Sequence, residues 1–299
     1  MKSRTRAAWL FLSPTLLFYA VFLIFPVLSS LYLSFHEWNM LTPPLQAPNV
    51  GLANYRYIFS EDPVFKKALL NTFIYVVVTV PVSITLSVLL ALMLSRKRRT
   101  GFYRLAFFLP TITPQIAVGM VWRYLYRPNY GLINTGLNAV GISSINWLND
   151  PSTALLSIMI TAVWAMIGTN LLVVDAGLKD IPDEYYEAAS IDGAHGWQRF
   201  WHVTFPLLKP SLLFVFVTGT IAAWQVFDFI VAMTAPTLGK AGGPVNSTMT
   251  MVLYMYQTAF EYLKMGRASA MAYVLFIIVM VISLVQLRLF RRGGIESYY

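Results

Sequence analysis

The chain alternates long stretches without any charged side chain with short charged connections. Six apolar runs stand out, at residues 7–35, 68–95, 105–122, 151–174, 210–227 and 268–287. A hydrocarbon core of about 30 Å is crossed by about 20 apolar residues in helical form, so each run is read as a membrane span. None of the runs alternates with period two, which excludes a β-barrel. Backbone groups in lipid must bond within their own segment, so the spans are helices. The first run is too long for a signal peptide, and no small-residue cleavage site closes it. It is therefore read as a retained span, with Pro14 and Pro26 expected to kink it. The expectation is an all-α integral membrane protein with six transmembrane helices and a single domain covering 1–299.

Composition supports this. Hydrophobic residues make up 57% of the chain and charged residues 12%, about half the charge of a soluble domain. There is no cysteine, which excludes disulfides, a thiolate nucleophile and cysteine metal sites. The net charge of +9 is explained by where the charges lie. Of the 22 Lys and Arg, fourteen fall in the amino terminus, the second connection (Arg96, Lys97, Arg98, Arg99, Arg104), the fourth connection and the tail. The other eight lie on the opposite side, among them Arg56, Lys66, Arg123, Lys240 and Arg267. The positive-inside rule places both termini in the cytoplasm of a multi-pass protein. The basic run at 96–99 beside a span then reads as topology, and no nucleic-acid partner is expected. The outward connections carry Pro43, Pro44, Pro48 and Gly51, then Pro128, Gly131, Gly136 and Gly141, then Pro236, Gly239, Gly242, Gly243 and Pro244. They read as turn-rich lids.

The fourth connection, 179–210, differs from its basic neighbours by carrying Asp180, Asp183, Glu184, Glu187 and Asp192. Pro182 and the acids beside it suit a helix amino terminus. Glu184, Ala188 and Ile191 share one helix face. Ala188 and Ala189 leave a surface that another backbone can approach, and Gly193 and Gly196 allow the chain to turn. Trp197, Phe200, Trp201 and Phe205 then define an amphipathic face suited to the membrane surface, which Pro206 and Pro210 are expected to end. His195 and His202 lack the H-E-x-x-H spacing of a metal pair and read as interfacial.

This segment resembles the signature of binding-protein-dependent ABC importer permeases: E-A-A, three residues, G, nine residues, then I-x-L-P. Glu187, Ala188, Ala189 and Gly193 match, and Val203, Phe205 and Pro206 occupy the final positions, with Val for I and Phe for L as apolar departures. The extended stretch EAASIDGAHGWQRFWHVTFPLLKP resembles the carbohydrate-uptake, maltose-type branch. So do the stretches GLANYRYIFSEDPVFKKALLNTFIY and FYRLAFFLPTITPQIAVGMVWRYLY, the AGLKDIP at 176–182, the Gly242-Gly243-Pro244 turn and the run from Gly266 to Met271.

The resemblance implies a non-catalytic permease subunit in a bacterial or archaeal inner membrane. Its implied partners are a second, related permease, two ATPase subunits and an extracytoplasmic solute-binding protein that delivers a sugar. No cofactor is expected on this chain. It has no G-x-x-x-x-G-K-[ST] phosphate loop, so ATP and Mg belong to the partner ATPase. The resemblance assigns ATPase coupling to Glu184, Glu187, Ala188, Ala189, Asp192, Gly193 and Pro206, with Glu187 as polar anchor. Ionisable residues inside spans default to a functional reading. Thr218, Ile221, Gln225 and Asp228 are spaced to share one face of the fifth span. Thr218, Gln225 and Asp228 offer hydroxyl, amide and carboxylate groups to a sugar, and Trp224 or Phe227 a ring to stack on it. The opposing reading makes Gln225 and Asp228 contacts between permeases. Trp164 and Asn170 are further pathway candidates, and Asp175 pairs with Lys179. A sugar-phosphate or glycerol-phosphate-like solute is the alternative. An ion-coupled transporter would need buried charges in several spans, where here Asp228 is nearly alone, and an intramembrane enzyme would need an acid–base or nucleophile set, for which the sequence offers no motif.

Overall fold

The computed structural model describes residues 2–95, 101–238 and 241–292. The basic cluster at 96–99, together with Gly239 and Lys240, lies outside them. The described residues are helical apart from turns, 3-10 and π segments and one isolated bridge between His36 and Asn49. They divide into two compact units: one of the residues up to Phe65 with Tyr254–Ile277, the other of Lys66–Leu253 with the residues from Ile278 on.

The helices follow one another as α1 (Lys2–Tyr19), α2 (Phe25–Ser34), α3 (Ala53–Ser60), α4 (Pro63–Ser95), α5 (Gly101–Ile112), α6 (Gln115–Leu125), α7 (Leu132–Ala139) and α8 (Ala154–Lys179), then α9 (Asp183–Ile191), α10 (Gly196–Arg199), α11 (Phe205–Trp224), α12 (Asp228–Leu238), α13 (Met251–Tyr256) and α14 (Met265–Arg292). Among the described residues five continuous segments are long and apolar enough to cross a membrane: Trp9–Ser34, Pro63–Ser95, Ala154–Lys179, Gly196–Trp224 and Met265–Phe290. The sixth expected span is bent by 103° between α5 and α6. The bend falls at Thr113-Pro114, because a proline pushes the residue before it out of the α region. The Thr113 hydroxyl takes the Leu109 carbonyl at 3.1 Å.

Two prolines act differently from the expectation. The helix does not stop at Pro206 or Pro210. It runs from Gly196 to Trp224, with a π-turn at Phe200–Thr204. The first span carries a π-turn at Ala20–Ile24 just before Phe25-Pro26. In both, a Phe-Pro pair opens the helix that follows. A proline ring crowds the carbonyl four residues back and donates no hydrogen bond. The wider turn moves that carbonyl aside, and the Phe25 and Phe205 amides bond to Ala20 and Phe200, five residues back.

In the first unit the connection after α2 is pinned by buried polar groups. The Asn54 amide donates to the Ser34 and His36 carbonyls at 2.9 and 3.1 Å, and the Tyr55 hydroxyl donates to Ser34 Oγ at 2.8 Å. Gly266 lies so close beneath the His36 carbonyl that a Cβ would collide with it. Arg267 sits 3.9 Å over the Tyr57 ring. These contacts explain why glycine precedes arginine at the start of the last span. Buried Asp62 caps α4 by accepting the Val64 and Phe65 amides at 3.0 Å, and its other oxygen accepts the Tyr254 hydroxyl at 2.6 Å.

In the second unit α5 and α11 pack on α8, and α6 on α12. Small residues allow these approaches. Gly168 of α8 faces the Phe107 carbonyl and the Thr111 hydroxyl of α5 so closely that a Cβ would strike both. Ala91, Leu94, Leu171, Val174 and Leu208 form an apolar cluster toward one end of this unit. Toward the other, Asn71 donates to the Asn246 and Met249 carbonyls at 3.0 and 2.9 Å, and Thr72 Oγ1 accepts the Met251 amide at 2.9 Å. These bonds hold a turn in which Gly242, Gly243, Val245 and Asn246 all have positive φ. The connection between α6 and α8 is organised by buried Asn134. Its amide nitrogen donates to Ile145 O, and its oxygen accepts the Ile145 amide and the Trp147 indole N–H.

Gly168→Leu is expected to separate α5 from α8 at a cost of about 1–3 kcal/mol, typical of overpacking. It should lower the melting temperature of the detergent-solubilised protein by several degrees. Gly136→Ala, in α7, meets nothing within 4 Å and is expected to leave the melting temperature unchanged or raise it slightly. Equal melting temperatures for Gly168→Leu and the parent chain would refute the close-packing account.

Candidate functional site

The 179–210 connection is built around α9. Pro182 caps it in an extended conformation, and Asp183 and Glu184 occupy its first turn, where carboxylates oppose the positive end of the helix dipole. The helix buries none of its own residues. Glu184, Glu187, Ala188 and Asp192 are exposed, Ala189 is half-buried, and Ile191 stands 87% exposed. α9 therefore presents a carboxylate-and-alanine surface with one bare apolar side chain at its end.

Its carboxyl end closes in a Schellman pattern: the Gly193 amide bonds to Ser190 O at 3.1 Å and the Ala194 amide to Ala189 O at 2.8 Å. Gly193 has φ +75°, and nothing lies within 4 Å of where its Cβ would be. Conformation, not space, requires glycine there. The chain then turns into α10. His195 donates its amide to Gln198 Oε1 at 2.9 Å, and Arg199 Nε donates to Ala194 O at 2.8 Å. Trp197, Phe200, Trp201 and Phe205 pack against one another, mostly edge-on or tilted, as the amphipathic spacing predicts. They form the start of the continuous Gly196–Trp224 helix and not a separate surface helix. Pro206 sits in the first turn of α11, inside that continuous element.

The face expected to join Thr218, Ile221, Gln225 and Asp228 is broken. α11 ends at Trp224, Gln225 caps it, and Asp228 begins α12. The Gln225 and Val226 amides tighten onto the Ala222 and Ala223 carbonyls, and the freed Val226 carbonyl accepts the Thr250 hydroxyl at 3.2 Å. The partner that completes the break lies 24 residues away, so no window around Gln225 contains the signal. Gln225 is exposed and Asp228 half-buried at this break. Thr218 is exposed and bonds its own helix at Phe214 O, 2.7 Å.

The remaining pathway candidates separate. Trp224 is only 3% exposed, which removes its ring from any open path in this conformation. Asn170 is buried and donates to Ser83 Oγ at 3.2 Å, joining α8 to α4. Trp164 is 40% exposed and meets Trp122 edge-on at 5.6 Å. The aromatic row continues through Tyr126 to Trp147. Asp175 pairs with Lys179 at 2.9 Å.

Residues 63–292 match the family described as "Binding-protein-dependent transport system inner membrane component". The chain is 36% identical over 283 residues to the lactose transport system permease protein LacF of Rhizobium radiobacter, covering 93% of this chain and 92% of that one. It is 33% identical over 290 residues to the arabinooligosaccharides transport system permease protein AraP of Bacillus subtilis (strain 168), covering 96% and 89%. Its fold superposes on a chain in the crystal structure of a bacterial ABC transporter involved in the import of the acidic polysaccharide alginate. That match has a TM-score of 0.84 and 21% identity, and covers 98% of this chain and 97% of that one. The chain belongs to the family of binding-protein-dependent transport system inner membrane components.

Proposed function

We propose that this chain is the transmembrane permease subunit of an ATP-driven importer for a sugar or oligosaccharide. The observation that carries this reading is α9. It is an exposed helix bearing Glu187, Ala188 and Ala189, ended by Gly193 at positive φ and followed by a continuous helix from Gly196 to Trp224. An exposed amphipathic helix seats in a groove of a partner and passes on that partner's rigid-body motion. The partner is an ATPase subunit, which supplies the ATP chemistry with Mg. Glu187 anchors the contact, Glu184 and Asp192 flank it, and Ala188 and Ala189 allow close approach. A second permease completes the membrane domain, and an external solute-binding protein delivers the sugar. Sugar is favoured as the solute by relatives named for lactose and arabinooligosaccharides. A solved relative of the same fold was crystallised with an alginate pentasaccharide-bound periplasmic protein. Both termini and α9 face the cytoplasm, on the distribution of Lys and Arg.

Exposed Gln225 and half-buried Asp228, at a break in an apolar element, are the polar groups best placed to meet sugar hydroxyls. They replace the single helix face as the basis of the pathway assignment. Thr218, on the exposed side of α11, and Trp164 are its outer members. Trp224 and Asn170 serve packing.

Glu187→Lys, Ala188→Trp and Gly193→Val are each expected to reduce solute-stimulated ATP hydrolysis and uptake. The first reverses the anchor's charge, the second holds the surfaces apart, and the third forces a branched residue to a positive φ at about 1–2 kcal/mol. Pull-down of the ATPase with the purified variants measures the contact. Full recovery together with unchanged stimulated hydrolysis in all three would overturn the coupling role. Asp228→Ala and Gln225→Ala are expected to weaken uptake with the complex intact. Normal rate and affinity in both would overturn the pathway assignment, and dissociation of the complex would make these residues an interface. A cysteine at position 188 is expected to react with a membrane-impermeant reagent only from the cytoplasmic side, and labelling from outside would overturn the orientation.

A further inference from the structure

We infer that Tyr186 and Thr204 form a clamp that makes α9 move as one body with the fifth span. This inference rests on the proposed docking of α9 to an ATPase. A helix that receives force at one surface transmits it only through what ties it to the rest of the protein. Among the described residues α9 has few such ties. It buries none of its residues. Beside it lies a cleft of about 960 Å³, whose lining includes Leu89, Leu92 and Ser95 of α4 together with Tyr186, Trp197 and Phe200. Asp183 and Tyr186 of α9 border this space, so that part of the helix faces a cleft and not a packed neighbour among the described residues. The turn that leads out of it is held by local hydrogen bonds, Ala194 N to Ala189 O and Arg199 Nε to Ala194 O, and a Cβ at Gly193 or Gly196 would meet nothing within 4 Å.

Across this gap the Tyr186 hydroxyl meets Thr204 Oγ1 at 3.2 Å. Thr204 is 4% exposed and is the last residue of the π-turn. Its hydroxyl also reaches Arg199 O at 3.5 Å. The two bonds have consistent direction when Tyr186 donates to Thr204 and Thr204 donates to Arg199. Among the described residues the Phe200–Thr204 segment is also the helical element that α9 approaches most. Single π-turns in α-helices cluster at functional positions, and this one turns a hydroxyl of the membrane helix toward the docking helix. Tyr186 and Thr204 are positioning residues: they touch neither solute nor nucleotide.

The test uses the complete importer in proteoliposomes, with the ratio of solute imported to ATP hydrolysed as readout. Thr204→Val and Tyr186→Phe each remove the hydrogen bond with little change of volume. Both are expected to lower that ratio about fivefold, the equilibrium factor that one net hydrogen bond is worth, while ATPase recovery in pull-down stays at the parent level. Thr204→Ser keeps the hydroxyl and is expected to restore the ratio. In the double variant the losses should not multiply, because both substitutions remove one interaction. An unchanged ratio in both single variants overturns the clamp. So does a parallel fall of uptake and hydrolysis, which marks a structural role alone. Failure of the parent chain to retain the ATPase through α9 would instead sink the docking reading.

Discussion

A peptide group in hydrocarbon has no water to bond, so every departure from a straight helix must be closed by the protein itself. That demand organises this structure. Where Phe-Pro pairs interrupt the first and fifth spans, π-turns re-form the ladder with bonds from Phe25 to Ala20 and from Phe205 to Phe200. Where Pro114 bends the chain, Thr113 and the Val118 amide close the exposed carbonyls of Leu109 and Pro114. Where α11 stops, the Thr250 hydroxyl takes the stranded carbonyl of Val226. At each of these breaks a named donor or acceptor closes the backbone.

The same demand explains the buried Asn, Ser and Thr side chains along otherwise apolar helices. Asn71, Thr72, Ser83 and Ser87 all lie on α4, and each reaches outside it to a partner far away in sequence. They bind α4 to α8 and to the Gly242 turn. Because lipid is as apolar as leucine, association between helices depends on such bonds and on close approach at small residues like Gly168.

What was legible in the sequence follows from range. Runs without charge gave five of the spans because hydrophobicity is a local property. The E-A-A and glycine spacing gave α9 and its left-handed end, because a Schellman closure is local too: every bond in it joins residues within five positions. The break at Gln225 was not legible, since its stabilising hydroxyl comes from residue 250 and Trp224 to Phe227 contain neither glycine nor proline. The shared face of Thr218, Gln225 and Asp228 assumed a helix that tertiary bonds interrupt. Pro206 misled in the opposite sense: proline usually ends a helix, but a π-turn two residues earlier accommodates its ring. Tyr186 and Thr204 lie 18 residues apart, and their spacing in the chain carries no pattern that pairs them.

The uninterrupted fifth span has a mechanical consequence. At about 1.5 Å per residue its 29 residues reach roughly 43 Å, whereas the hydrocarbon core is about 30 Å thick. The excess of about 13 Å projects beyond the hydrocarbon and makes the helix a lever arm with its fulcrum inside the bilayer. Tilting such a rod by about ten degrees about a point at the edge of the hydrocarbon moves the 13 Å arm by about 2 Å and the far end by about 5 Å, close to one helical turn. A small displacement at the Trp197 end is thereby delivered as a large one at Gln225.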